Sequence, residues 1–235
     1  MTSKKYWGKI ILDFVNKLRN EKIECNFKIY GYSFMALPGV FSPAYSSDTH
    51  WFAKKIIPQV KNLSFLEIGT GTGVLACLAI LKGASKVVAT DINPKAIQNT
   101  LLNQQLLGIT FPVRKGNAFE PIKKNELFDM IFWNHPFGFT EEKMLVKDML
   151  NTSVFDYKYN SLKQFLRFGK EHLTEQGKLL LGSSNVAKIN YIKQIAKEEG
   201  YKLILMDKEE VPVYKNKKTK IDVRLYLLEN NIISS

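Results

Sequence analysis

The sequence predicts an α/β protein: a mostly parallel sheet covered by helices on both faces. Three observations predict it. From residue 63 onward, short apolar runs bounded by turn residues alternate with helical stretches. A glycine-rich turn, Gly69-Thr-Gly-Thr-Gly73, follows directly on the first of these runs. The last two runs, 201–206 and 221–228, have no helix between them and should close the sheet as an antiparallel hairpin.

In chain order, Ile10, Ile11, Phe14, Val15 and Leu18 fall at helical spacing and predict an amphipathic helix within the first 20 residues. Residues 25–42 are aromatic, with turn signals at Gly31 and Pro38-Gly39, and suggest a short hairpin or extended cap. A helix should start near Asp48, whose carboxylate can cap it, and stop before Pro58. Leu63–Ile68 reads as the first buried strand, followed by a helix over Val74–Leu81 and a strand over Lys86–Thr90. Pro94 suits the first turn of a helix reaching Leu107. Strands are expected at Phe111–Arg114, Phe128–Trp133 and Gly177–Ser183, and helices at 158–172 and 186–199. The organisation expected is an N-terminal helix and lid or cap segment over 1–58 and a main domain over 59–235.

Of the 235 residues 45% are hydrophobic and 24% charged, which excludes wholesale disorder and fibrous repeats. No apolar run reaches the ~18 residues of a membrane span, and no signal peptide is read at the start. With Cys25 and Cys77 alone, neither a disulfide framework nor a four-cysteine zinc site can be built, so a reducing cytoplasm is the expected compartment. Three separated histidines give no metal centre, and none is expected. The formal charge of +12 favours polyanions or acidic surfaces as partners. The arginines are Arg19, Arg114, Arg167 and Arg224, so the excess is nearly all lysine, a point charge without a bidentate fork. A lysine-rich genomic composition accounts for the charge equally well. Nothing signals DNA specifically, and the oligomeric state is open.

The glycines at 69, 71 and 73 let the backbone turn tightly and approach a ligand. Their spacing departs from the dinucleotide pattern GxGxxG, and the phosphate loop GxxxxGK[ST] is absent. Glu67 precedes the loop, where an anion would oppose a pyrophosphate and suit a cationic or neutral ligand. Asp91 lies 18 residues past Gly73 at the end of the next strand, where a carboxylate can accept both hydroxyls of a ribose. Together, Glu67-x-Gly-x-Gly-x-Gly73 and Asp91-Ile-Asn-Pro94 resemble the cofactor site of class I S-adenosylmethionine-dependent methyltransferases, over roughly 40–228. The resemblance implies a Rossmann-like seven-stranded sheet with a terminal antiparallel strand. It also implies cofactor contacts: Gly69, Thr70, Gly71, Thr72 and Gly73 at the methionine part, Asp91 at the ribose, Ile92 on the adenine face, and Asn117 and Ala118 at the adenine edge, with Glu67 and Asn93 as further cofactor-binding residues.

Asn134-His-Pro-Phe137, closing the fourth strand, resembles the Asn-Pro-Pro-Tyr/Phe motif of methyltransferases that act on planar nitrogens, the glutamine amide or the adenine amine. The resemblance implies that the Asn134 side chain and the His135 carbonyl accept the two hydrogens of the nitrogen. Pro136 then holds His135 extended, and Phe137 stacks on the planar group. Asn134 also adjoins the cofactor. The His135 imidazole is expected at the surface; the alternative is that it contacts substrate or takes a proton. Gly39-Val-Phe-Ser-Pro43, followed by Ser47-Asp-Thr49, resembles the Pro-x-x-x-Thr segment of the HemK/PrmC group of release-factor glutamine methyltransferases. It makes Phe41, Pro43 and Thr49 candidates for a lid over the cofactor. The usual N-terminal helical bundle of that group is missing here. The lysines of Tyr214–Lys220 are expected to overhang the substrate mouth, or to form a solvated hairpin tip.

The expected function is therefore an S-adenosylmethionine-dependent N-methyltransferase of a protein glutamine, with a protein or RNA substrate, ribosome-associated in one version. The alternatives are an adenine-N6 RNA methyltransferase, a small-molecule methyltransferase, and a non-catalytic binding module on the same scaffold.

Overall fold

A computed structural model describes residues 12–13, 15–16, 18–20, 24–212 and 219–230. Ile10, Ile11 and Phe14 of the expected first helix, and Tyr214 to Lys218 of the lysine-rich segment, lie outside the described residues. The described residues among 12–20 are helical, with Val15 and Leu18 buried against Tyr45 and Leu150.

β1 (Cys25–Ile29) and β2 (Tyr32–Ala36) form the expected hairpin. Its turn, Tyr30-Gly31, has positive φ at both residues (55° and 80°), the geometry that matches the twist of paired strands. α1 (Asp48–Ile56) follows. Its N-cap is Ser47 and no side chain caps it, so the Asp48 carboxylate does not play the capping role read from sequence. Tertiary structure claims it instead, as described below.

The main sheet takes β3 (Ser64–Ile68), β4 (Lys86–Asp91), β5 (Val113–Lys115) and β6 (Phe128–Asn134), with α2 (Val74–Leu81) and α3 (Pro94–Leu107) as crossovers. A two-stranded parallel pair, β7 (Gly138–Thr140) and β8 (Phe155–Tyr157), comes next, with the short helix α4 (Met149–Thr152) between them. The chain ends with α5 (Asn160–Gly169), β9 (Leu173–Ser184), α6 (Ile189–Glu198), β10 (Tyr201–Pro212) and β11 (Lys220–Asn230). Strand order is β10-β11-β9-β6-β3-β4-β5; β11 is antiparallel to both neighbours and the other pairings are parallel. This is the seven-stranded Rossmann-like sheet with a terminal hairpin. Among the described residues no helix is long and apolar enough to cross a membrane.

Alternation along the strands sends side chains to opposite faces. Phe65, Met130 and Phe132 join one core with α1, α2 and the hairpin, while Leu66, Ile131 and Trp133 join the other with α5 and α6. The N-terminal hairpin thus shares the main core, and buried amides on α3 tie it down further. Asn99 Oδ1 accepts from the Leu37 amide at 2.7 Å, and Asn103 Oδ1 accepts from Met35 at 2.8 Å. Asn103 Nδ2 in turn donates to the carbonyls of both Met35 and Thr72, each at 2.8 Å.

From β3 the chain proceeds outward through β4 and β5, then crosses back to place β6 on the other side of β3. The reversal opens a crevice at the carboxyl ends of β3 and β6, where open α/β sheets bind ligands.

Candidate active site

A cavity of about 400 Å³ lies at that crevice, within the range of small-molecule sites. Its floor is the glycine loop after β3. Gly69 (φ 64°) lies so near Trp133 that a Cβ would sit 2.8 Å from the indole Nε1, while Gly71 (φ 56°) faces open space. Side chains at either position would strain the turn. Gly73 differs: it does not line the cavity, and a Cβ there would meet Thr100 Cγ2 at 2.6 Å. Its smallness serves the approach of α2 to α3. Thr70, Thr72 and the other sequence candidates do line the cavity: Phe41, Pro43 and Thr49 above the loop, Glu67, Asp91, Ile92 and Asn93 at the strand ends, and Asn117, Ala118 and Asn134–Phe137 on the far walls.

Glu67 is buried; its Oε2 accepts from Thr70 Oγ1 at 2.7 Å and from the Ala76 amide at 3.0 Å. Burial pushes its carboxyl up to about 8, against the pull of those two donors, and nearby Asp91 adds to the rise. Burial also raises Asp91, opposed by the amides it holds: Oδ1 accepts from Asn93 N at 2.8 Å and Oδ2 from Gly71 N at 2.9 Å. Asn93 caps α3 through Lys95 N and donates to the Gly39 carbonyl at 3.2 Å, joining the Gly39 turn to the end of β4. Ile92 is 43% exposed, an apolar face offered to the cavity. Asn117 Nδ2 donates to Gln164 Oε1 at 2.5 Å, which leaves its carbonyl oxygen as the end available to an adenine amine.

Asn134 is the meeting point of two segments. Its Nδ2 donates to Asp48 Oδ2 at 3.1 Å, and its Oδ1 is buried without a partner among the described residues. Asp48 is 2% exposed, lines the cavity, and carries a second partnerless oxygen, Oδ1. The sequence contained Asp48 only as a helix cap, and no local signal could have joined it to Asn134.

His135 corrects another expectation: it is 1% exposed, not a surface group. Its ring packs edge-on against Trp133, Phe137 and Tyr159, and Nε2 lies 3.0 Å from Ser183 Oγ. Burial drives the imidazole down to about 3, with the adjacent Pro136 backbone pulling weakly the other way, so the side chain stays neutral and takes no proton at neutral pH. The Phe137 ring lines the cavity while its carbonyl accepts from Tyr159 Oη at 3.1 Å. Gly138 N bonds to the Val154 carbonyl at 2.8 Å, so the β7–β8 pair buttresses the motif. The β7–β8 segment also supplies a wall that sequence reading missed, including Met149, Phe155 and Asp156. Asp156 holds the amides of Ser161 and Leu162 at the start of α5, and burial raises it to about 6.

Charge distinguishes this cavity. Asp48, Glu67, Asp91 and Asp156 line it, and among the described residues no lysine or arginine does, although the chain carries +12. Such a lining suits a cationic ligand and repels phosphate. S-adenosylmethionine fits on these grounds: Asp91 would hold its ribose, Ile92 and Ala118 its adenine, and the Glu67 loop its cationic methionine part.

Residues 31–205 match the family described as methyltransferase small domain. A Methanocaldococcus jannaschii protein, whose assigned name is protein N5-glutamine methyltransferase, is 33% identical over 124 residues, 53% of this chain and 60% of that one. A ribosomal protein L11 methyltransferase of Aquifex aeolicus is 27% identical over 63% of this chain and 54% of its own. The chain therefore spans little more than half the length of these curated relatives. Among solved structures, the ribosomal protein L11 methylase of Lactobacillus delbrueckii shares the fold with a TM-score of 0.54 and 21% identity, over 77% of this chain and 80% of that one. A T. thermophilus 16S rRNA N2 G1207 methyltransferase, solved with AdoMet and guanosine, does so with a TM-score of 0.60 and 18% identity, over 86% and 50%. Fold, cavity and family match agree: the chain belongs to the methyltransferase small-domain family.

Proposed function

We propose that the protein methylates the side-chain amide nitrogen of a glutamine in a protein substrate. The observation that carries this reading is Asn134 Oδ1, a buried acceptor without a partner among the described residues, on a residue of the cavity wall. An amide nitrogen has a delocalised lone pair and is a poor nucleophile. Asn134 Oδ1 and the His135 carbonyl would accept its two hydrogens, orient the lone pair, and favour the pyramidal geometry of the transition state. Phe137 would stack on the amide plane. Pro136 restricts His135 to an extended backbone, keeping its carbonyl in register with Asn134. S-adenosylmethionine supplies the methyl group on a sulfonium, a strong leaving group. The contribution of the chain is orientation and electrostatics, with no covalent enzyme intermediate. The carboxylate-lined cavity favours a neutral amide over a phosphate-bearing nucleotide, and the name of the M. jannaschii relative points the same way. Names of L11 methyltransferases among the relatives suggest a ribosome-associated protein as substrate, and so a cytoplasmic setting.

One observation favours a second reading, the adenine amine of RNA. Lys188 Nζ lies 3.3 Å from the Phe139 ring centroid, Lys158 Nζ 5.4 Å from that of Tyr157, and Lys163 Nζ 5.8 Å from that of Tyr191. Interleaved cations and rings of this kind suit single-stranded nucleic acid. Incubation with methyl-labelled S-adenosylmethionine and host extract separates the readings. Protease-sensitive label supports the glutamine reading, nuclease-sensitive label supports the adenine one, and label in small molecules rejects both.

A further inference from the structure

We propose that Asp48 is a working part of the nitrogen site: it sets the orientation of the Asn134 amide and takes the proton that the substrate nitrogen gives up. The inference rests on the reading of Asn134 as the substrate acceptor.

Asp48 Oδ2 accepts from Asn134 Nδ2 at 3.1 Å and so selects the amide rotamer that presents its NH2 toward α1. The Asn134 oxygen lies beside Gly182, buried and without a partner among the described residues. Without a pure acceptor at this point the two ends of the amide would be interchangeable, and an NH2 facing the substrate would repel the hydrogens it should bind. Asp48 thus decides which end of Asn134 meets the ligand, across 86 residues of chain.

Its second oxygen has no structural task. Oδ1 is buried and has no partner among the described residues, on a residue that lines the cavity, and the helix that Asp48 opens makes no use of it as a cap. A favourable interaction with the α1 dipole would be available to an exposed carboxylate and does not account for 2% exposure. The reaction supplies a donor. The nitrogen lone pair forms the new N–C bond; the S–C bond breaks with its electron pair left on sulfur; the nitrogen, now positive, loses one N–H proton, which passes to Asp48 Oδ1 and from there to solvent. His135 also lines the cavity with a buried nitrogen, Nδ1, that has no partner among the described residues, but burial holds its imidazole well below the ordinary range, which makes it a weak base for this transfer.

The test uses the full chain, methyl-labelled S-adenosylmethionine, and a titrated protein fraction of host extract as acceptor. Asp48→Asn keeps the shape and can still offer one oxygen to Asn134, but loses the second acceptor. The expected result is an unchanged melting temperature and cofactor Kd, half-saturation by acceptor within about threefold, and a maximal rate lower by about 100-fold, the scale of general-base catalysis. Asp48→Gly should be equally slow and should recover rate in proportion to added formate, which can occupy the vacated place as a carboxylate; a side chain with a structural role alone would show no such recovery. An Asp48→Asn rate within threefold of wild type overturns the inference, as does a slow Asp48→Gly that formate leaves unchanged. Asn134→Ala, run in parallel, separates the levels. If it too retains wild-type rate, the acceptor reading of the site has failed; if it is inactive while Asp48→Asn is active, only the role of Asp48 has.

Discussion

Replacing Glu67 by glutamine should abolish a proton-coupled step in cofactor binding. The Glu67 carboxyl is buried and lies near 8 in place of its ordinary 4.5. A cationic ligand stabilises the ionised form, so binding below pH 8 must expel a proton. If only ionised Glu67 binds, the competent fraction is about 1% at pH 6 and 50% at pH 8, and the apparent Kd should tighten by up to about 50-fold, roughly 2.3 kcal/mol. At pH 7 about 0.9 proton should be released per cofactor bound. Isothermal titration in two buffers of different ionisation enthalpy measures both quantities. Glu67→Gln can keep the bonds from Thr70 and Ala76 through its amide oxygen, so the loop should persist while the pH dependence vanishes. Comparison of the two proteins at each pH cancels the titration of the cofactor itself. The same group makes a stability statement of definite sign. Its folded pKa lies above its unfolded value, so its contribution is intact below pH 4.5 and is lost as pH rises through 8. At pH 9 the glutamine variant should be the more stable protein, by at most about 5 kcal/mol. A wild-type Kd flat from pH 6 to 8, with no proton release, would refute the claim that a cation meets Glu67.

Asn134→Ala should retain cofactor affinity and lose at least about 100-fold in turnover, as removal of one transition-state hydrogen-bonding group typically does; undiminished turnover in the labelling assay rejects the proposed site. Gly73→Ala forces a Cβ at φ 78° to within 2.6 Å of Thr100. Left-handed strain and overpacking together predict a loss of about 2–5 kcal/mol in urea unfolding, with Thr100→Ala recovering only the overpacking share. His135 has a folded pKa near 3, below the ordinary 6.5, so its contribution is intact above pH 6.5 and falls as pH drops toward 3. Near pH 5 the wild type should have lost about 2 kcal/mol relative to His135→Leu, compared with their difference at pH 7.5; parallel urea midpoints across that range contradict the burial argument.

Elements with a strong local code were readable in the sequence. The glycine loop, the Pro94 start of α3 and the alternation of strands with helices are written in residues close to one another, and the cofactor candidates cluster because strand ends converge at a chain reversal. Features made by distant encounters were not readable. Asp48 at a helix start looks like a cap, and only the fold brings it to Asn134. His135 looks like a polar turn residue, and only Trp133, Phe137, Tyr159 and Ser183, gathered from three parts of the chain, turn its position into an interior. β7 and β8 are three residues each, too short for a periodic pattern, and their parallel pairing depends on the α4 excursion between them. Gly73 was read with its neighbours as a cofactor contact, whereas its constraint comes from the α2–α3 approach.

The double donation by Asn103 makes the N-terminal hairpin and the glycine loop one cooperative unit. A single buried NH2 group holds Met35 on one side and Thr72 on the other, while Asn99 secures Leu37 beside it. Removing the hairpin would take from these amides both the donors and the acceptor supplied by Met35 and Leu37, leaving Asn103 only Thr72, beneath the floor of the cavity. The price of excision would therefore be felt in ligand affinity as well as in folding. A segment that looks like an appendage in the linear chain is, in thermodynamic terms, part of the binding reaction.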